Sequence, residues 1–236
     1  MLFLFLLISP ASLHSQTNSG QISTQYMNWT GVQIKYKNEH WSGSAEFQNR
    51  IFFGPLRQDA LLFPRLIVLR KINSRLSAGA GMAYFLHTSP SLPEEEIEFW
   101  NSEFRPHLEL NYKVHIHRLE IASRLRVEER FLETQGANPG QHEYTRTERG
   151  RIRIQFRLPL NRKIQLLASD EFFAKRSPGV FLNAEENRVR AGLGLKLQKG
   201  NDLAAEYMHV YRNFNNSNPL QRHTLVLNYT LHLSPN

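Results

Sequence analysis

The sequence predicts an all-β protein, a single antiparallel up-and-down transmembrane barrel, and three observations carry that prediction. Apolar and polar residues alternate with a period of two from Gln21 onward, the periodicity of strands with one apolar and one polar face. The alternating runs are about 11 to 14 residues long, whereas strands in soluble domains centre near 5 to 6 and a tilted bilayer-crossing strand needs about 9 to 11. Short polar turns ("KNEH", "KINS", "HIHR", "NRK", "QKGND") take turns with longer loops, among them Arg176 to Glu186 and Asn213 to Leu220, as expected of outer-membrane barrels.

At the N-terminus an apolar run, Leu2 to Ile8, is too short to cross a bilayer as a helix and leads into "SPASLHSQ", where Ser15 suits the position before a signal-peptidase cut. Residues 1–15 are expected to be a signal peptide and residues 16–236 the barrel domain; a buried N-terminal segment is the alternative. The basic region expected of such a signal is absent before His14, which puts its expected start upstream of Met1. Counting back from the last strand, Gln221 to Leu233, gives about eleven hairpin-linked strands, the first beginning near Thr30. Single-chain bacterial barrels have even strand numbers, so a further strand is expected at Gln21 to Asn28, making about twelve, with ten as the alternative.

Between those ends the alternation is explicit. In "WSGSAEFQNRIFF", Trp41, Ala45, Phe47 and Ile51 form one face and Ser42, Ser44, Glu46, Gln48 and Arg50 the other. "LLFPRLIVLRKI" is apolar on both faces, and Pro64 and Pro106 each remove a ladder donor, which predicts a bulge or irregular pairing there. The acidic loop Pro90 to Trp100 reads as solvated, with inward folding against a basic lumen as the alternative. From Arg118 to Phe131, and again from Tyr144 to Leu158, arginine alternates with large apolar residues, and Asn187 to Gln198 repeats the pattern.

Periodicity alone does not orient the wall, because a soluble lipocalin-like barrel alternates too, with its apolar face inside. A lipid-facing arginine near the midplane costs roughly 2 to 4 kcal/mol, so several per strand must face a lumen. Aromatics near the predicted strand ends also fit interfacial girdles: Trp29, Trp41, Phe52, Phe53, Tyr84, Phe85, Trp100, Phe104, Tyr144, Phe172, Phe173, Tyr211 and Phe214. The net charge of +8 is then largely an interior property, and a nucleic-acid role, which needs an exposed basic patch, is not expected. With no cysteine, neither a disulfide framework nor a thiolate metal site is available.

The layout resembles a family of bacterial envelope proteins known as domain of unknown function 2490, predicted outer-membrane β-barrels. The resemblance lies in "NWTG", "EFQNRIF" (Glu46 to Phe52), "SRLRVEERF" (Ser123 to Phe131), "RGRIRIQFRLPL", "SDEFF" (Ser169 to Phe173), "ENRVRAGLGLKL" (Glu186 to Leu197) and "EYMHVY" (Glu206 to Tyr211). It implies a barrel in the outer membrane of a Gram-negative bacterium and no particular activity. The last strand ends "LHLSPN" instead of in the terminal Phe or Trp typical of chains read by the barrel-assembly machinery, with Leu233 as the substitute.

The candidate site is the charged lumen: Glu46, Arg50, Arg124, Arg126, Glu128, Arg130, Arg149, Arg151, Arg153, Arg157, Glu171, Arg188, Arg190 and Glu206. Two readings compete. Paired Arg and Glu could fill a narrow barrel as a structural plug, since buried charges must find partners, or free arginines could line an anion-preferring pore. A soluble envelope barrel binding an apolar ligand is the third reading. Enzymatic signals are thin. His115 and His117 share a strand face but supply too few ligands for a metal, and Ser169 beside Asp170 and Glu171, with His209 or His223 as base, lacks any local support. No cofactor and no catalytic site are expected; the expected partners are outer-membrane lipid, the assembly machinery and small anionic solutes.

Overall fold

A computed structural model describes residues 22–135, 141–177, 180–214 and 217–233. The signal segment expected at 1–15 and the side chain of Phe214 lie outside the described residues.

Among the described residues eleven strands form one closed barrel: β1 Ser23–Lys37, β2 Trp41–Phe52, β3 Gln58–Lys71, β4 Leu76–Ser89, β5 Phe99–Ile116, β6 Leu119–Gln135, β7 His142–Pro159, β8 Ile164–Ser177, β9 Val180–Lys196, β10 Asp202–Phe214 and β11 Ser217–Leu233. Sequential neighbours pair antiparallel, and the barrel closes through β1 and β11, which run parallel from the pair Ser23 and Leu220 to the pair Tyr36 and Leu233. This corrects the expected even, wholly antiparallel barrel. An odd number of hairpin-linked strands leaves the first and last pointing the same way, so closure must be parallel.

Of the separate strand expected at Gln21 to Asn28, Gln21 lies outside the described residues and the part from Ser23 on is the first part of β1. No turn residue divides it from the second half, because Gly31 stays in the ladder, opposite Asn228 and Gln48. A Cβ there would come 2.5 Å from the Asn228 Oδ1, so this glycine serves a close approach of side chains and not a turn. The longer loops expected at Arg176 to Glu186 and Asn213 to Leu220 are also largely strand, as β9 begins at Val180 and β11 at Ser217.

Five short turns gather at one end of the barrel, here the turn end, and the opposite end is the loop end. Three turns share one device: the Oδ1 of Asn38, Asn73 and Asn161 each accepts the backbone N–H groups two and three residues on, at 2.7 to 3.0 Å. Of the two prolines, Pro64 sits in a register shift between Leu62 and Arg65. Pro106 interrupts the ladder to β6 between the pairs Phe104 with Phe131 and His107 with Glu128, without changing the register.

The wall has an apolar outside and a charged inside. On β6, Leu125 and Val127 are 47% and 56% exposed while Arg126 between them is 1% exposed. This is the reverse of a lipocalin-like barrel. Ile152, Ile154, Phe156 and Leu158 likewise face out, against Arg151 and Arg153 facing in. Trp41, Phe53, Tyr84, Trp100, Phe104, Tyr144, Phe172 and Tyr211 point outward, but four expected girdle residues do not: Trp29, Phe52, Phe85 and Phe173 are buried in the lumen. Their parity explains it, since each lies an even number of residues from a lumen side chain: Met27, Arg50, His87 and Glu171.

Candidate functional site

The ladder register brings the lumen charges together. Glu109, Arg126 and Arg151 share one rung across β5, β6 and β7, while Arg124, Arg153, Glu171 and Arg188 share another across β6 to β9. Inward side chains at such positions lie within reach of one another. Glu128 and Glu171 are each held by more than one cation, and Glu109 by Arg126 alone.

Glu128 accepts from Arg149 Nε at 3.0 Å and from Arg151, with Arg126 at 3.5 Å. Glu171 accepts from Arg151 Nε at 3.0 Å and Nη2 at 2.8 Å, and from Arg124. Arg126 Nε donates to Glu109 at 2.8 Å. Glu103 holds Arg105, Arg130 and, at 2.9 Å, His87. Glu185 then links Arg130 at 3.3 Å to Arg149 at 3.6 Å. One continuous network thus runs from His87 on β4 to Glu171 on β8 and Glu185 on β9, and Glu186 forms a neighbouring knot with Arg188 and Arg212.

Aromatic faces supply a second kind of partner. The Arg50 guanidinium lies 3.9 Å over Trp29, with Arg188 5.2 Å from the same ring. Phe173 is flanked by Arg188 at 4.5 Å and Arg151 at 4.6 Å, and Arg105 sits 3.9 Å over Phe85. Desolvated pairs of this kind are worth about 2 kcal/mol each. Met27, Trp29, Phe52, Met208, Val210 and Val226 pack as an apolar cluster beside them. Salt bridges, cation–π stacks and apolar packing together fill the loop-end half.

The remaining predicted residues lie toward the turn end or at the margin of the network. Glu46 pairs with Arg65 at 2.9 Å and Arg157 with Glu120 at 3.3 Å. Arg190 Nε meets the Met208 sulfur at 3.1 Å, and Glu206 is buried beside Gly192. Arg153, Arg190 and Glu206 make no ion pair with the described residues. The inward wall here includes many small residues: Ser42, Ser44, Ser77, Gly79, Gly81, Ala122, Gly192 and Ala204 are all half-buried.

Sequence reasoning misses Glu103, Arg105 and Glu109 on β5, although "SEFRPHLEL" alternates; the proline in its middle obscures the period. It also misses Glu185 and Glu186, which fall in an expected loop, and the stacking role of the inward aromatics. The other constellations do not assemble. Ser169 faces the lumen while His209 and His223 follow the outward parity of Tyr207 and Tyr211, so the wall separates nucleophile from base. His223 instead contacts the Tyr207 hydroxyl at 2.6 Å. His115 pairs with Glu120 at 3.3 Å, His117 occupies a turn at φ 53°, and no metal-binding cluster exists among the described residues. Asp170 points outward and accepts from Asn187 Nδ2 at 2.7 Å. The acidic loop does not fold into the lumen. Glu94 to Glu96 are exposed, and the loop is tied down by Arg57, which donates to the carbonyls of Pro90 and Leu92 at 2.7 and 2.6 Å.

The chain belongs to the family described as Protein of unknown function (DUF2490), whose model matches residues 27–221. Among solved structures, the NanC porin in a rhombohedral crystal form is similar at 12% identity, covering 80% of this chain and 85% of that one with a TM-score of 0.49. Among curated proteins none matches in sequence.

Proposed function

We propose that this DUF2490 chain is an outer-membrane barrel of a Gram-negative bacterium whose lumen is closed at rest by an ion-paired plug in its loop-end half. In this reading residues 1–15 direct export, the assembly machinery inserts the barrel, and the protein is not an enzyme. The apolar outside supports the membrane setting: outward residues such as Leu108, Leu125, Val127, Ile152 and Leu193 would each waste contact in water and gain it in lipid. The observation that carries the closed state is burial of charge. Glu103, Arg126, Glu128, Arg151 and Glu171 are each at most 5% exposed, which leaves no water-filled passage along that side of the lumen.

The second reading is a narrow anion-preferring pore, and one observation favours it. Inward cations outnumber inward carboxylates, and Lys35, Arg153 and Arg190 have no ion-pair partner among the described residues. Opening the plug would expose a basic passage that selects anions.

Planar-bilayer recording of the refolded protein across a potassium chloride gradient separates the two. The closed reading expects insertion without discrete steps, and expects steps with a chloride-favouring reversal potential once Glu128→Gln frees Arg149 and leaves Arg151 to Glu171 alone. Steady conductance from the unaltered protein would overturn it, and failure to enter the bilayer would overturn the membrane setting.

A further inference from the structure

The exposed charges are divided between the two ends of the barrel. Every one of the five turns carries at least one exposed cation: Lys37 at the first, Lys71 and Arg75 at the second, Arg118 at the third, Lys163 at the fourth and Lys196 at the fifth. None of them makes an ion pair with the described residues. Of the described carboxylates at this end Glu39 alone is exposed, while Glu120 is held by Lys113 and Arg157, and Asp202 by His232 at 2.9 Å. The loop end is the reverse. Its exposed arginines, Arg146 and Arg176, are paired with Glu129 and Glu148, whereas Glu94, Glu95, Glu96, Glu98 and Glu143 are exposed with no cation among the described residues. Part of the chain's excess of positive charge therefore lies outside the lumen, as a collar around one rim.

The collar adjoins the apolar outer face without a gap. Tyr36, Trp41 and Tyr112 are exposed at the turn ends of β1, β2 and β5, with Ile72, Ile116 and Leu160 exposed beside the same turns. Arg70, opposite Trp41 in the ladder, holds its guanidinium 5.9 Å from the Trp41 ring. In a bilayer such aromatic rings lie at the boundary between acyl chains and headgroups. Flexible Lys and Arg side chains just beyond that boundary reach the level of the phosphates. Cations spread around the whole circumference fit a ring of lipids, whereas a single soluble acidic partner would cover one side of it.

We propose that the collar docks on anionic glycerophospholipid headgroups in the leaflet at the turn end. Basic residues beside a bilayer are attracted to negatively charged headgroups, and salt screens that attraction. The acidic loop end is repelled by the same headgroups, so anionic lipid gathers at one rim only. The inference rests on the membrane setting proposed above, and not on whether the lumen is closed.

The tryptophans report on it directly. Trp41 lies on the outer face at the turn end, Trp100 on the outer face at the loop end, and Trp29 is buried in the lumen. The full chain is refolded into vesicles of phosphatidylcholine and phosphatidylglycerol in which one lipid or the other carries brominated acyl chains, which quench tryptophan on contact. At low ionic strength the quenching of Trp41 should show phosphatidylglycerol enriched about fivefold over its share of the bilayer. Concentrated salt should abolish the enrichment, and this series needs no variant. Trp41→Phe should remove the signal and Trp100→Phe should keep it. Lys37→Gln, Lys71→Gln and Arg75→Gln combined, all at exposed positions, should abolish the enrichment as salt does. Equal quenching of Trp41 by the two lipids, the same enrichment at Trp100, or a preference that persists in salt or in the combined variant would each overturn the collar as a lipid-docking surface. No quenching of either outward tryptophan by either lipid would overturn the membrane setting and this inference with it, so the two failures are told apart.

Discussion

The two halves of the lumen solve the same problem in opposite ways. Both carry many inward cations. In the loop-end half Glu103, Glu128, Glu171 and Glu186 are each shared between arginines, and aromatic rings take up guanidinium faces that remain, so these charges are sealed from solvent. In the turn-end half glycine, alanine and serine recur along the wall, the ion pairs involve partly exposed partners, and Lys35, Arg153, Arg190 and the Glu206 carboxylate make no ion pair with the described residues. What differs is the size of the side chains between the charges: large rings exclude water and force pairing, while small residues admit water and make pairing optional.

The largest effect should come from breaking the dry half. Glu128→Ala strands Arg149 in a buried site, leaves Arg151 with Glu171 as its one carboxylate, and should cost about 4 kcal/mol, read by urea unfolding of the refolded barrel. Trp29→Ala removes both the ring between Arg50 and Arg188 and the centre of the apolar cluster, and should cost about 4 kcal/mol in the same assay. On the outer face of the wall, Ile154→Arg sets a charge against hydrocarbon and should cost about 3 kcal/mol in lipid vesicles. The smallest effect belongs to the wet half. Glu120→Ala, whose partners Lys113, His115 and Arg157 are 37 to 63% exposed, should cost about 1 kcal/mol or less. Equal costs for Glu128→Ala and Glu120→Ala would erase the distinction between the halves.

Much of this architecture is legible in the sequence, because a period of two assigns each residue to a face and arginine cannot face lipid. The inward set on β6 and β7 follows directly from "SRLRVEER" and "RGRIRIQFR". Strand number is another matter. The expectation of an even count rests on a general regularity of bacterial barrels, whereas the ladder carries "NWTG" straight through Gly31 and closes in parallel. Nearness to strand ends suggests a girdle position for Trp29, Phe52, Phe85 and Phe173, but parity with neighbouring lumen residues decides their direction. The pairing of individual arginines with individual glutamates is not legible at all, since it depends on register across six strands, including the shift where Phe173 faces Glu186 and Ala174 faces Ala184, which brings Glu185 inward.

The difference in water access between the halves is the central claim, and the absence of cysteine from the chain allows a direct measurement of it. Single cysteines replace Thr224, fully buried in the loop-end half, and Ser44, half-buried in the turn-end half; both face inward. A charged, membrane-impermeant thiol reagent is then applied to the refolded barrel. Rapid labelling of Ser44→Cys with Thr224→Cys left unmodified until the barrel is unfolded is the predicted result. Comparable labelling of both in the folded state would contradict the account, because it would mean that water runs the length of the lumen.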